Sequence, residues 1–228
     1  MFDIRRIQVH SLKDFFREYL MIVLGILTAL GLEHLVADQH HRHEAEQARQ
    51  RIVAELRSNL AEVRAAVDEN ERRIKPVDDL VVALRNDVQA GTPRAAVNRT
   101  VLASLKGMGN LGYAWPTLRH EAWDVVVANQ AAAYLDSDVL QRYAAAYAAQ
   151  RDAVAMVQAA EALMSAPRVV DAIADLRLQR AEPIELMKAL GQVAVSLAAT
   201  QSAIRSVQGS LEASLAPEPA AGAAPSSR

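Results

Sequence analysis

Cysteine is absent from the 228-residue chain, so a disulfide framework, a thiolate nucleophile and a cysteine-based zinc site are all excluded. Aromatic residues are scarce as well: two Trp, five Tyr and three Phe. Glycine and proline number nine and eight, with few in the middle of the chain. A chain poor in aromatics and breakers, and half hydrophobic chiefly through alanine, suits close-packed helices and poorly suits sheets. Charge of one sign is lacking too. The 25 basic and 27 acidic residues are interspersed and leave a formal net charge of −2. No field therefore draws the protein to nucleic acid, and no aromatic-plus-basic platform is evident. Twenty-one of the basic residues are arginine, a bias that points, with the alanine content, to a GC-rich bacterial genome.

What the chain does have is one uncharged apolar run. Residues 19–32 read YLMIVLGILTALGL, fourteen positions, short of the roughly 20 that cross a bilayer core. Counted from Phe15 to Val36 the element is long enough, provided Arg17, Glu18, Glu33 and His34 rest near the interfaces. Phe15, Phe16 and Tyr19 form an interfacial aromatic belt in this reading. A soluble core helix would show a polar stripe, and here every face is apolar. A cleaved signal peptide would need small residues at a cleavage site, whereas the chain continues GLEHLVADQH. The segment therefore reads as a signal anchor in a bacterial inner membrane, with the lipid bilayer as its partner. Arg5, Arg6, Lys13 and Arg17 on one side face Arg42, Arg49 and Arg51 on the other. That balance, with the short N-terminal segment, leans towards an extracytoplasmic C-terminal domain. Gly25 and Ala29 make a small-x-x-x-small pair through which two spans, of this chain or another membrane protein, can approach.

No breaker follows until Pro76. From Ala37 to Lys75, eight Arg/Lys and eight Asp/Glu surround an apolar stripe at Ile52, Leu56, Leu60, Val63, Val67 and Ile74. Glu55 with Asn59, and Glu69 with Arg73, sit one turn apart and support the helix. Pro76 is expected to kink or interrupt it, because proline removes a helix hydrogen bond. The stripe resumes at Val77, Leu80, Val81 and Leu84 and stops at Gly91-Thr92-Pro93.

Residues 94–106 predict a short helix and 106–116, KGMGNLGYAWP, a loop. Thr117 is the expected N-cap of a helix that buries Leu118, Ala122, Val125 and Val126 and fades near Tyr134-Leu135. Ser137 is expected to cap the next helix, with Leu140, Tyr143, Tyr147, Val154, Val157 and Met164 inward. Pro167 breaks it, and a further helical stretch runs around 169–180. After Pro183, the residues Leu186, Leu190, Val193, Leu197, Thr200, Ile204, Val207 and Leu211 repeat at steps of four and three over four heptads. Few charges flank this seam, so it is expected to pack inside its own bundle. Residues 216–228, small and proline-rich, read as a disordered tail.

The expected architecture is all-α. It comprises a tail (1–14), a transmembrane anchor (15–36), a coiled-coil-like stalk helix (37–90), an antiparallel helical bundle (91–215) and the final tail (216–228).

Candidate chemistry is sparse. His34, His40, His41 and His43 lie among Glu33, Asp38 and Glu44, and imidazoles at helical spacing can bind zinc or copper if their nitrogens converge. The alternative is a polar juxtamembrane stalk that gains positive charge below about pH 6.5. No nucleophile elbow, HExxH, Walker or dinucleotide motif is present. GMGNLG at 107–112 lacks both a preceding strand and a following Lys-Ser/Thr, so it reads as a turn. No constellation required for catalysis is found, which argues against an enzyme, and none points to a cofactor. Trp115, Trp123, Tyr134, Tyr143 and Tyr147 concentrate half of the aromatics in 33 residues. Trp123, Tyr143 and Tyr147 are the candidate ligand-pocket residues, although aromatics at helical spacing are more often simply a core cluster.

The segments IVLGILTALGLEHLVADQ (22–39) and AWDVVVANQAAAYLDSDVLQRYAAAYAAQ (122–150) resemble an uncharacterised family of bacterial membrane-anchored helical proteins. Its hallmark is a short span running into a charged helix, followed by a motif in which a tryptophan, here Trp123, opens a helix and a turn precedes the next. The family often carries glycine where this chain has Asn129-Gln130. The resemblance covers roughly residues 15–160 and implies a single-pass inner-membrane protein, with no activity attached. Three functions follow as expectations: a membrane-tethered interaction or scaffold module, an extracytoplasmic small-molecule sensor that relays through a partner, and a metal-binding protein using the juxtamembrane histidines.

Overall fold

A computed structural model of the chain describes residues 12–109 and 112–217, with side chains from Phe15 onward. The expected tails (1–14 and 216–228) lie almost wholly outside the described residues, as do Asn110 and Leu111 of the glycine-rich turn. Within the described residues there are six helices and one 3₁₀ turn and no strand. They are α1 (Leu12–Ala90), α2 (Arg94–Met108), α3 (Glu121–Ala128), the 3₁₀ turn Ala131–Tyr134, α4 (Ser137–Met164), α5 (Pro167–Arg177) and α6 (Pro183–Leu215).

Helix α1 carries the architecture. Its 79 residues make a rod of about 119 Å at 1.5 Å per residue. It is not interrupted at Pro76, one of the two outcomes expected there, and ends where Gly91 adopts φ 66° and the Thr92 amide donates back to the Asp87 carbonyl at 3.0 Å. Proline inside a helix costs about 3 kcal/mol. Val77, Leu80 and Leu84 on the turns just beyond it are buried, each worth about 1.5–3 kcal/mol, and together they outweigh that penalty.

The buried residues form two hydrophobic clusters along the rod. In one, Ile52, Leu56, Leu60 and Val63 of α1 meet Tyr143, Ala146 and Tyr147 of α4 and Ile204, Val207 and Leu211 of α6. In the other, Val77, Leu80 and Leu84 meet Val97 and Val101 of α2, Leu176 of α5 and Leu186, Leu190 and Leu197 of α6. Helix α6 thus reaches both, and its most extensive contacts are with α1 and α4. All eight seam positions from Leu186 to Leu211 are buried. Ion pairs Arg64–Glu212 (2.7 Å) and Arg205–Glu71 (2.5 Å) flank the α1–α6 contact.

Several boundaries differ from those expected. Thr117 caps nothing: residues 113–120 are non-helical, and α3 starts at Glu121 after His120. Helix α3 stops at Ala128 because Gln130 takes a left-handed conformation (φ 61°), and the chain passes through the 3₁₀ turn instead of fading gradually. Val126 is buried but Val125 is exposed. Asp136, not Ser137, caps α4, its carboxylate accepting the Asp138 amide at 2.9 Å. The inward face of α4 includes Val139, Ala146, Gln150, Ala153 and Ala160 with Tyr143, Tyr147 and Val157, while Val154 faces outward and Leu140 and Met164 are only partly covered. Alanine lets α4 approach its neighbours closely, so the smallest side chains mark the interface.

Candidate functional site

Two asparagines on α1 organise the region that holds the aromatic residues. Asn59 and Asn70 are fully buried in an otherwise charged stretch. Asn70 donates to the Ala114 carbonyl at 2.9 Å and accepts the Ala114 amide at 2.6 Å. Asn59 does the same for Arg119, at 2.7 and 3.0 Å. Each side-chain amide thereby substitutes for a neighbouring strand and satisfies both backbone groups of one residue. The spacing explains why two clamps fit. Eleven helical residues rise about 16.5 Å and bring the same face round again, and five extended residues span about the same distance. The segment 112–119 is therefore strapped along α1 in the opposite direction, with the Arg73 guanidinium adding a bond to the Gly112 carbonyl at 3.1 Å. The expected Glu69–Arg73 pair is present at 2.8 Å.

The strap delivers α3. Glu55, expected to support Asn59, instead reaches across. Its carboxylate accepts the Ala122 amide in the first turn of α3 at 2.9 Å and the Tyr147 hydroxyl at 2.6 Å. An acid at a helix N-terminus is favourably placed, since the first-turn amides have no partner within the helix. Burial, and then the bond to Glu55, push the Tyr147 hydroxyl well above the ordinary tyrosine range, so it stays protonated as a donor. Asn59 also donates to Gln150 Oε1 at 2.9 Å, which ties α1, the strap and α4 into one buried network.

Beside this network, Trp123 lies over Tyr147 with ring centroids 5.2 Å apart. The pair lines a cleft of about 230 Å³ together with Leu118 and Val154, with His120, Asp124 and Arg151 at the rim. His120 Nδ1 and Asp124 Oδ2 are 2.7 Å apart, and that hydrogen bond raises the His120 pKa. Tyr143, the third sequence candidate, is buried in the same hydrophobic cluster but lines a different concavity, between α1, α4 and the end of α6. Trp123 and Tyr147 are therefore brought together, and Tyr143 is not part of their cleft. Glu55, Asn59 and Gln150 were missed as site residues. The one signal in the sequence was a pair of asparagines eleven apart on a helical stripe.

His34, His40, His41 and His43 do not converge. His40 pairs with Glu44 at 3.2 Å, His43 with Gln47 at 2.8 Å, and His41 stacks on Tyr134 at 4.0 Å, while His34 is exposed. Among the described residues no group of three or more His, Asp or Glu is arranged to hold a metal ion.

Against this, the first half of α1 is bare. Every Phe, Tyr, Leu, Met and Ile from Phe15 to Leu35 is more than half exposed. It is the one helix among the described residues long and apolar enough to cross a membrane, and none of its apolar window is buried. Compared with protein-family models, curated proteins and solved structures, the chain matches none.

Proposed function

We propose that this chain is a membrane-anchored helical interaction or scaffold module, held by residues 15–36 and presenting a bundle at the end of a rigid rod. The observation that carries this reading is the change of face along α1. The helix exposes its whole apolar circumference from Phe15 to Val36 and buries a single stripe from Ala48 onward. Exposed apolar surface on that scale marks a membrane or protein contact. The bundle is antiparallel in this proposal, because residues 64 and 71 of α1 meet 212 and 205 of α6 in reverse order. A bacterial inner membrane, a signal-anchor topology with the bundle outside the cytoplasm, and kinship with the family of single-span helical proteins complete the reading. A second span packed through Gly25 and Ala29 is the simplest partner. The test is crosslinking in intact membranes, followed by detergent solubilisation and capture of the full-length chain. A saturable membrane-protein partner or a second copy is expected. Recovery no greater than that of an unrelated anchored protein contradicts the proposal. A reporter active in one compartment, fused after residue 215, decides the orientation.

The Trp123–Tyr147 cleft favours a second reading, a bundle that binds a small, largely apolar molecule and relays through a partner. A thermal-shift screen of the full-length chain in detergent tests it, comparing the parent with Trp123→Ala. Hits that stabilise both equally count against the cleft.

A further inference from the structure

We infer that the uncharged strip 125–135, which comprises the outer face of α3 and the 3₁₀ turn, rests on the phospholipid headgroups beside the span and gives the bundle a second membrane contact. This rests on the anchor reading above, because the height of the strip is counted from the end of the span. Residues 125–135 read VVVANQAAAYL, eleven positions without a charge in a chain of which 23% is charged. Val125, Val127, Gln130, Ala133 and Tyr134 are among those exposed. An exposed strip with no charge to desolvate enters a headgroup layer at little cost.

The strip is held firmly and aimed down the rod. Ala131 is buried, and Ala132 and Leu135 pack on the first hydrophobic cluster. Helix α3 begins where Glu55 accepts the Ala122 amide, and the chain then descends α1 until the Tyr134 ring stacks on His41, with centroids 4.0 Å and planes 10° apart. Those two α1 residues are separated by about 21 Å of helix. The concavity shared by Arg49, Val53, Val139 and Leu215 places the first turn of α4 and the last turn of α6 further from the span. Among the described residues, the 3₁₀ turn is therefore the part of the bundle nearest the bilayer.

Height and charge select the partner. His41 lies five residues beyond Val36, a rise of about 7.5 Å on a continuous helix. The headgroup layer is roughly 5–7.5 Å deep on each side, so the Tyr134 ring, 43% exposed, sits at its outer edge. Tyrosine suits that position, with an apolar ring and a hydroxyl that stays wet. Below the turn no room remains for a protein partner, since the gap is narrower than the roughly 10 Å diameter of a helix. Asp136 and Asp138 follow the strip, and on α1 Arg42 is paired with Asp38 and His40 with Glu44. That balance gives an anionic surface no attraction, so the fitting lipid is zwitterionic.

Fluorescence quenching in phosphatidylcholine vesicles tests the inference. The full-length chain is labelled with a nitrobenzoxadiazole group at a single cysteine: Ala133→Cys in the strip, Leu27→Cys in the span, or Leu178→Cys, exposed at the end of α5. Lipid carries a nitroxide either on the headgroup or in mid-chain. The headgroup nitroxide should quench the label at 133 several-fold more than the label at 178, and the mid-chain nitroxide should quench the label at 27 most. Tyr134→Glu, added to Ala133→Cys, should remove most of the headgroup quenching, while Tyr134→Trp should preserve it. Both substitutions are at an exposed position, and melting curves confirm that the bundle stays folded. Quenching at 133 no greater than at 178, with the label at 27 still quenched, overturns the inference and leaves the anchor reading standing. A label at 27 that escapes the mid-chain nitroxide overturns both. Quenching at 133 that survives Tyr134→Glu also overturns the inference, as does quenching that fades when the protein is diluted in lipid, which would assign the strip to a second copy.

Discussion

Helix α1 uses the same residue types in two opposite ways. From Phe15 to Leu35 its leucines, isoleucines and phenylalanines point outward on every side, with exposures of 54–67%. From Ile52 to Leu84 the stripe residues Ile52, Leu56, Leu60, Val63, Val67, Val77, Leu80 and Leu84 fall to between 0 and 9%, and Ile74 and Val81 are partly covered. No breaker separates the halves, and one unbroken helix joins them. What differs is the pattern around the apolar residues. An uncharged run around the full circumference leaves no face to give to water, whereas a stripe at steps of three and four among arginines and glutamates gives one face to a protein core. The ordering of the second half is then completed by polar groups, with Asn59 and Asn70 fixing the strap that the hydrophobic stripe alone could not place.

The largest expected effect separates the halves by truncation. Ile52→Ala should destabilise the bundle by about 2–5 kcal/mol, as removal of a fully buried side chain does, while Leu27→Ala should leave bundle unfolding unchanged. Chemical denaturation in detergent, followed by tryptophan fluorescence, reads both. Equal losses would erase the distinction.

Next comes the strap. Asn70→Ala orphans the amide and carbonyl of Ala114, and a loss of roughly 2–4 kcal/mol is expected, since each unsatisfied buried group costs about 1–3 kcal/mol. Amide hydrogen exchange should show faster exchange at 112–119 with little change in the α4–α6 contact. A uniform increase throughout the bundle would mean that the strap is not a separate unit.

A smaller gain is expected at Gln130. Its φ of 61° strains an L-residue, and Gln130→Gly should stabilise the fold by about 0.5–1 kcal/mol. A lower melting temperature would contradict that backbone assignment.

The smallest effect lies at the rim of the cleft. Asp124 raises the His120 pKa, so the pair contributes stability below the ordinary histidine pKa of about 6.5, and that contribution is lost as pH rises through the raised value. NMR titration should find His120 above 6.5 and back near it in Asp124→Asn. A His120 midpoint that Asp124→Asn leaves in place would remove the pair from the site.

How far the sequence revealed this arrangement varies with the kind of force involved. Periodic burial was legible: the six apolar positions of the α1 stripe face the core, five fully and Ile74 in part, and the α6 seam is buried throughout. The prolines at 167 and 183 open α5 and α6, where a fixed φ suits the first helical turn. At Pro76 the helix is not interrupted, because the packing of Val77, Leu80 and Leu84 beyond it outweighs the lost hydrogen bond. The α3 boundary was missed because residues 114 and 119 are held by asparagines 44 and 60 positions earlier, and no local pattern encodes such a bond. Of the candidate site, the Trp123–Tyr147 contact followed from aromatic clustering. Glu55 was hidden because a glutamate on a charged helix looks like solvated surface until a helix terminus and a tyrosine are brought to it.

The central claim is that the first half of α1 lies in lipid and the second in protein and water. A chain with no cysteine makes the measurement direct. Leu27→Cys and Arg51→Cys, each the sole thiol, would be labelled in intact membranes with a membrane-impermeant maleimide applied to either side. The account predicts rapid labelling of Arg51→Cys from one side only, and no labelling of Leu27→Cys from either side until the membrane is dissolved and the chain unfolded. Labelling of Leu27→Cys at the rate of Arg51→Cys would contradict it.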